Sequence, residues 1–242
     1  MIKKILSIAI NFIISLIDYS NKKKIILFFN KAFNEKKLSV IDIGAHKGET
    51  IDLFLKNFSI NQLNAFEPNQ NLYHHLNKKY NNKKVNIFNL GIGLKNEISQ
   101  LNVMFDSSSS TINDLDQNTD YFKRKAKIFS SSIKGDQFLK EKQNIKLISL
   151  SHFIENQDID NIDILKIDTE GYEFNVVRGI NSKDFEKIRF IYFEHHYDLM
   201  IKKGYKFKDI DSFLKKNNFT QVLKIRMKFR KSFEYIYEAK KK

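Results

Sequence analysis

Two acidic side chains that follow an apolar stretch are the first candidates for chemistry. Asp168 ends the run DILKID (163–168), and Glu170 stands two residues later. In a turn, two acids at this spacing can converge on one ligand, whereas in a continuing strand they would share a face. We predict that Asp168 contacts a cofactor or an acceptor. Glu170 either binds or deprotonates the acceptor, or charges the first turn of the next helix together with Glu173.

A second candidate for proton transfer is the run Glu194, His195 and His196, at the end of another apolar stretch. We predict His195 as a general base because an imidazole titrates near neutral pH. A histidine here could also complete a divalent-metal site with the neighbouring carboxylates, so a metal stays an open alternative with no ligands assigned. The other interpretation is a surface histidine at a strand end.

The stretch VIDIGAHKGET (40–50) places two of the chain's eight glycines directly after a predicted buried strand. Glycine lets the backbone pass close to a ligand because it has no Cβ. The spacing of Gly44 and Gly48 matches neither the GxGxxG of dinucleotide-binding folds nor the GxxxxGK[ST] of phosphate loops. The turn therefore predicts a ligand site that is not built for a pyrophosphate.

An acid at the end of the second predicted strand narrows the choice of ligand. Glu67 follows Asp42 by 25 residues, and an acid at that place can accept hydrogen bonds from both hydroxyls of a ribose. Asp42, at the end of the first strand, would favour a cationic group nearby. Together these residues predict a nucleoside ligand that carries positive charge, and S-adenosylmethionine is the obvious candidate.

Strand and helix patterns alternate through most of the chain, which predicts an α/β fold with a doubly wound, mostly parallel sheet and an antiparallel edge hairpin. We expect a single domain over 38–242, with 106–145 as an insertion or lid, after an N-terminal helical extension at 1–37. The predicted helices are 48–58, 69–80, 172–178 and 209–218, and Ser151 is predicted to cap a further short helix. The predicted strands are 38–45, 63–68, 85–92, 98–105, 145–150, 163–168, 188–195, 219–226 and 232–239.

The apolar segment 5–17 follows two lysines but lacks a small-x-small cleavage site after it. It is also shorter than the span of about 20 apolar residues that crosses a bilayer. We interpret it as an amphipathic or buried helix that packs on the domain of a cytoplasmic protein. Peripheral contact of this helix with a membrane surface is the second interpretation.

Composition excludes several kinds of chemistry. The chain has no cysteine, so disulfides, zinc–thiolate sites and a cysteine nucleophile are ruled out.

The formal net charge is +14, and the basic residues concentrate in 1–40 and 200–242, whereas 41–199 is close to neutral. Such ends could steer the protein toward anionic surfaces or acceptors.

Four segments, VIDIGAHKGET, AFEPN, NLGIG and DILKIDTEGYEFNVVRGI, resemble the FkbM-type S-adenosylmethionine-dependent methyltransferase family over roughly residues 38–196. The resemblance implies a Rossmann-like class I methyltransferase fold and O-methylation of a small-molecule, sugar or glycan-type hydroxyl. The family usually has Thr-Leu-Asp where this chain has Ser149-Leu150-Ser151, so no role is carried over to that position. The cofactor-binding residues that it implies are Asp42, Gly44, Ala45, Gly48, Glu67, Asn89, Gly91 and Asp168.

Two other functions remain as alternatives. The net charge would suit an RNA methyltransferase, because phosphate contacts need Lys and Arg. Pro68 is the only proline, which excludes the Asn/Asp-Pro-Pro-aromatic motif of base-amine methylation, and the lack of cysteine excludes attack on cytosine C5. Ribose or ring-nitrogen methylation stays open, although we do not expect nucleic acid as the partner. The third function is a non-catalytic binding module with the same fold.

Overall fold

A computed structural model describes residues 20–80, 84–124, 139–227 and 231–240. The predicted helix at 5–17 lies outside the described residues. Within the described ranges, none of the helices combines the length and the apolar character that crossing a membrane requires.

The described residues alternate between strands and helices, as the sequence pattern predicts. The strands are β1 (Leu38–Ile43), β2 (Ile60–Phe66), β3 (Val85–Phe88), β4 (Gly91–Gly93), β5 (Glu97–Met104), β6 (Leu139–Ser149), β7 (Ile162–Ile167), β8 (Ile188–His196), β9 (Phe219–Met227) and β10 (Ser232–Ala239). The helices are α1 (20–33), α2 (Glu49–Asn57), α3 (Gln70–Lys79), α4 (120–124), α5 (Leu150–Asn156), α6 (Glu173–Arg178), α7 (Ser182–Phe185) and α8 (Phe207–Lys216).

Seven strands form the central sheet in the order β3-β2-β1-β7-β8-β10-β9. The five strands from β3 to β8 pair in parallel, whereas β10 runs antiparallel to both β8 and β9. The mostly parallel sheet and its antiparallel edge hairpin are therefore confirmed. Because β10 runs backwards, its first residues lie at the same edge as the carboxyl ends of β1, β7 and β8.

The predicted strand at 85–92 is wrong, because the chain leaves the central sheet in the middle of it. β3 pairs with β2, but β4 pairs with β6 in a separate sheet of order β4-β6-β5. Asn89 lies at the break, and its side-chain amide donates hydrogen bonds to the backbone oxygens of Glu67 and Pro68. β6 also begins earlier than predicted, at Leu139, where it pairs antiparallel with β5.

Apolar clusters cover both faces of the central sheet. On one face, α1 buries Ile25, Phe29 and Phe33 against the sheet and α2. The Phe29 ring meets the rings of Phe54 and Phe190 edge to face, at centroid distances of 6.4 and 5.6 Å. α5, α6 and α8 cover the other face. Helix α1 is therefore part of the packed core beside the glycine turn.

The two glycines of the turn are required by the chain's own packing. Gly44 has φ +86°, and a Cβ added there would lie 1.9 Å from the backbone oxygen of Asp168. Gly48 has φ +87°, and its Cβ would lie 2.2 Å from the hydroxyl of Tyr80. Gly44 is thus required because the backbone after β7 passes close to it, and Gly48 because the end of α3 packs against it.

The predicted cap at Ser151 is wrong by two residues. Ser149 caps α5, and its hydroxyl accepts a hydrogen bond from the His152 N–H at 3.2 Å. Ser151 lies inside the helix and donates to the buried carboxylate of Asp184 at 2.5 Å. It also accepts from the Asn181 N–H at 2.7 Å. Where the family usually has the Asp of Thr-Leu-Asp, this chain therefore has the Ser151 hydroxyl, which contacts Asp184 of α7. This contact lies away from the carboxyl edge of the sheet.

Ser151→Ala is expected to lower the free energy of unfolding by about 2 kcal/mol, because the buried Asp184 loses a hydrogen-bond donor. Urea denaturation measures this change. Ser232→Ala is the matched control: Ser232 is also fully buried, but its hydroxyl has no hydrogen-bond partner among the described residues, so little change is expected. Equal losses in both variants would contradict the role given to Ser151.

Candidate active site

A cleft of about 420 Å³ opens at the carboxyl ends of β1, β2, β7 and β8, where ligands bind in open parallel sheets. The described residues that line it include members of the glycine turn, the ends of four strands, the segment 107–112, and the elements α1, α2, β9 and β10. Six of the predicted site residues line this cleft: Gly44, Ala45, Glu67, Gly91, Asp168 and Glu170.

Glu67 lies at the end of β2 with its carboxylate held by the backbone. Its two oxygens accept hydrogen bonds from the N–H groups of His46 and Asn69, each at 2.8 Å. Burial raises the pKa of this carboxyl to about 7, although the two N–H donors oppose the shift. The site therefore contains a fixed acceptor at the place where the sequence predicts contact with ribose hydroxyls.

Asp42 lies behind the cleft, at the end of β1. It is fully buried, and neither of its carboxylate oxygens has a hydrogen-bond partner among the described residues. Burial raises its pKa to about 7, and the charge of Lys166, its partner across β1 and β7, opposes the shift. A buried carboxylate without a partner is costly, so its position fits a site that receives positive charge from a ligand.

Lys166 is a buried cation that the sequence analysis did not assign to the site. Its side chain is only 2% exposed. Its ammonium group lies 3.0 Å from a carboxylate oxygen of Asp168, and it also lies over the ring of Tyr192. Burial alone would lower the pKa of Lys166, but Asp168, Glu234 and Asp42 outweigh it and hold the pKa above the ordinary value. The signal for this role was a lysine among the apolar residues Ile164, Leu165 and Ile167 of the run DILKID.

Glu194 and Glu234 face each other across β8 and β10, and both line the cleft. The hydroxyl of Tyr192 donates to one oxygen of Glu234 at 2.5 Å. The second oxygen of Glu234 is buried and has no hydrogen-bond partner among the described residues. Glu234 was missed by sequence reasoning, although an acid inside the alternating run SFEYIYEA gave a signal.

The two histidines of β8 point into different surroundings. His195 is buried among the rings of Tyr197, Tyr205 and Phe207, and it does not line the described cleft. Burial, together with the charges of Lys203 and His196, lowers its pKa to about 4. Its position therefore argues against the predicted role of His195 as the general base.

His196 is the histidine that meets the carboxylates. Its ring lies 3.4 Å from Glu170 and 3.7 Å from Glu194 on one side, and 3.6 Å from Asp198 on the other. Burial opposes its charge, but Glu170, Asp198 and Glu194 outweigh that effect and raise the pKa to about 10. His196 is thus a fixed cation at neutral pH, and it balances part of the acidic charge around it.

The position of Glu173 bears on the two interpretations of Glu170, contact with the acceptor or a charge at the first turn of α6. Glu173 is fully buried and accepts hydrogen bonds from the N–H groups of Gly171 and Thr169 at 2.9 and 3.3 Å. It therefore occupies the N-terminal turn of α6, whereas Glu170 lines the cleft. Glu170 has φ +50°, and its backbone oxygen accepts a hydrogen bond from the Thr111 hydroxyl.

Two of the other predicted cofactor-binding residues, Gly48 and Asn89, lie outside the described cleft, and the open alternative of a metal site finds no ligand group among the described residues. Gly48 and Asn89 pack the turn against α3 and hold the end of β3, respectively. Within the described ranges, no group of three or more His, Asp or Glu side chains is arranged to hold a metal ion.

Part of the predicted insertion closes over the cleft. Residues Ser107, Ser108, Ser110, Thr111 and Ile112 line one wall. The His46 ring contacts the Ser107 hydroxyl at 2.8 Å, so the glycine turn and this wall are tied together.

The far end of the cleft is built from distant parts of the chain. Asn21 and Lys22 of α1 and Met227 of β9 line it together with Glu234. The Asn21 amide donates to the backbone oxygen of Arg226 at 3.3 Å, which joins α1 to β9.

Comparisons with known proteins identify this fold. A solved FkbM methyltransferase from Methylobacillus flagellatus KT aligns with a TM-score of 0.52 and 13% identity over 83% of this chain, which spans only 44% of that protein. A magnesium protoporphyrin IX methyltransferase from Synechocystis PCC 6803, solved with bound SAH, aligns with a TM-score of 0.50 and 9% identity, over 94% of this chain and 85% of that one. No curated protein matches the chain.

The fold is that of a class I S-adenosylmethionine-dependent methyltransferase domain. The model of the methyltransferase FkbM domain matches residues 42–220, which is more than half of the chain. The chain therefore belongs to the FkbM methyltransferase family, as the resemblance of its four segments implies.

Proposed function

We propose that this protein transfers the methyl group of S-adenosylmethionine to a hydroxyl group of a small molecule, a sugar or a glycan. The observation that carries the proposal is the acidic lining of the cleft beyond the glycine turn. Asp168, Glu170, Glu194 and Glu234 all line it there. Carboxylates at this place can accept hydrogen bonds from a hydroxyl and take up its proton.

The residues of the cofactor half fit S-adenosylmethionine, which supplies an electrophilic methyl group on a cationic sulfur when bound. Glu67 would accept hydrogen bonds from the ribose hydroxyls, since its carboxylate is already held at the end of β2. Asp42 would attract the cofactor's positive charge, because its buried carboxylate has no hydrogen-bond partner among the described residues. Gly44, Ala45 and Asp168 would form the wall beside it.

The acidic lining supports a hydroxyl acceptor over RNA. Phosphate groups would meet like charge at Glu170, Glu194 and Glu234, and such contacts are unfavourable in a partly buried site. The positive net charge comes mainly from the two ends of the chain. Salt-sensitive RNA binding with methyl transfer to RNA would favour the alternative function.

Glu67→Ala is expected to weaken binding of S-adenosylhomocysteine by tenfold or more, about 1.4 kcal/mol, because the ribose loses its carboxylate acceptor. Isothermal titration calorimetry on the folded wild type and variant measures this change. Glu97→Ala is the control, since Glu97 makes a surface ion pair with Lys95 and does not line the described cleft. A folded wild type that binds no S-adenosylhomocysteine would contradict the proposal. Binding without transfer to any acceptor would favour the non-catalytic module.

A further inference from the structure

Glu234 lies at the start of β10, where the antiparallel strand brings it into the cleft beside the ends of β7 and β8. We propose that Glu234 accepts the proton of the acceptor hydroxyl, and that the hydroxyl of Tyr192 positions its carboxylate for this step. The inference rests on the proposed function, because it assigns the proton acceptor of that reaction.

Glu234 differs from the other carboxylates of the cleft in what its oxygens contact. Both oxygens of Glu67 accept backbone N–H groups, and Asp168 is bound by the ammonium of Lys166. Glu170 and Glu194 lie beside the cationic ring of His196, at 3.4 and 3.7 Å, although one oxygen of Glu194 also has no hydrogen-bond partner among the described residues. Glu234 uses one oxygen for the Tyr192 hydroxyl, while the other is buried without a hydrogen-bond partner among the described residues.

The charges around Glu234 come from two neighbouring strands. β8 contributes Tyr192 and Glu194, and β7 contributes Lys166 and Asp168. Burial raises the pKa of Glu234 to about 7; the Tyr192 hydroxyl and Lys166 oppose the shift, whereas Glu194 and Asp168 add to it. Near neutral pH such a group is ionised often enough to act as a base and basic enough to hold the proton.

The step balances with the cofactor as methyl donor. The acceptor oxygen forms a bond to the methyl carbon as the carbon–sulfur bond breaks, and that bond's electron pair stays on sulfur. The hydroxyl proton moves to the free oxygen of Glu234. Tyr192 keeps its own proton and continues to donate to the other oxygen.

The first test compares the wild type with Glu234→Gln, using methyl-deuterated S-adenosylmethionine and neutral methyl glycosides as acceptors, with mass-spectrometric detection. Transfer should fall about 100-fold or more, the usual effect of losing a general base, while the affinity for S-adenosylhomocysteine stays within about twofold. Glu238→Gln is the matched control: it changes the same residue type on the same strand, outside the described cleft. Unchanged transfer in Glu234→Gln would overturn the proposal.

The second test needs no acceptor. Carbon-13 NMR of glutamate-labelled protein should show resonances of both Glu67 and Glu234 that titrate near pH 7, and the one that disappears in Glu234→Gln belongs to Glu234. Tyr192→Phe should raise the pKa of that resonance, because it removes a donor to the ionised carboxylate. It should also move the rise of kcat/KM to higher pH, a shift that a purely structural tyrosine would not cause. Titration of Glu234 near the ordinary value, about 4.3, would contradict the proposed role.

The two tests also separate this inference from the proposed function. A wild type that binds S-adenosylhomocysteine but labels only RNA would overturn the proposed small-molecule, sugar or glycan acceptor. The NMR titration would still decide whether Glu234 is a poised base.

Discussion

Gly44→Ala is expected to lower the free energy of unfolding by about 4 kcal/mol or more, which is in the range reserved for severe lesions. Two effects add at this position. The backbone is left-handed at φ +86°, which costs a residue with a Cβ about 1–2 kcal/mol. The added Cβ would also lie 1.9 Å from the backbone oxygen of Asp168, so β1 and β7 would have to move apart at the base of the cleft.

Gly204→Ala separates the two effects. Gly204 has φ +71°, but nothing lies within 4 Å of its Cβ position, so only the conformational cost of about 1–2 kcal/mol is expected. Chemical denaturation of both variants measures the difference. If Gly44→Ala destabilised the protein no more than Gly204→Ala, the close approach of the two strands would be refuted.

Lys166→Met is expected to cost about 3–5 kcal/mol of stability at pH 8, because it removes a buried cation that lies beside the fully buried carboxylate of Asp42. Asp168 loses its partner at 3.0 Å, and the fully buried Asp42 loses the neighbouring positive charge that opposes its raised pKa. Lys215→Met is the control. Lys215 makes an ion pair of 2.8 Å with Asp211 on the surface of α8, and such pairs contribute about 0.3–0.5 kcal/mol.

The loss in Lys166→Met should depend on pH in a defined direction. Lys166 stays charged across the range, because its pKa is raised above the ordinary value. The pKa of Asp42 is about 7 in the folded protein against 3.8 ordinarily, and losing Lys166 raises it further. Between these values the folded state binds more protons than the unfolded chain, so acid favours folding through this group. The deficit should therefore shrink from pH 8 to pH 5, and a constant deficit would argue against buried carboxylates as its cause.

The sheet was largely predictable because buried parallel strands leave continuous apolar runs such as VIDIG and DILKI. The interruption at Asn89 was not visible, because the residues on both sides of it are apolar. Only the amide contacts of Asn89 with the end of β2 show why the chain turns there. The cap at Ser149 was missed for a similar reason, since Ser149 and Ser151 are equivalent as caps until Asp184 is known to lie beside one of them.

The site was predictable where its residues follow one another along strand ends, as Gly44, Glu67 and Asp168 do. It was not predictable where distant strands meet. The choice between His195 and His196 depends on which face of β8 meets Glu170, and neighbouring residues of a strand point to opposite faces. The place of Glu234 depends on β10 running antiparallel beside β8, a pairing that no local pattern specifies.

The residues that line the cleft come from inside and from outside the stretch that matches the family model. The stretch that matches the family model, 42–220, supplies Gly44 and Glu67, whereas Asn21, Met227 and Glu234 come from outside it. A chimera that keeps 42–220 and takes both flanks from a relative could therefore retain its methyl donor while its acceptor changes. The chimera would replace only the part of the cleft wall that α1, β9 and β10 supply, because Asp168, Glu170 and Glu194 lie inside 42–220.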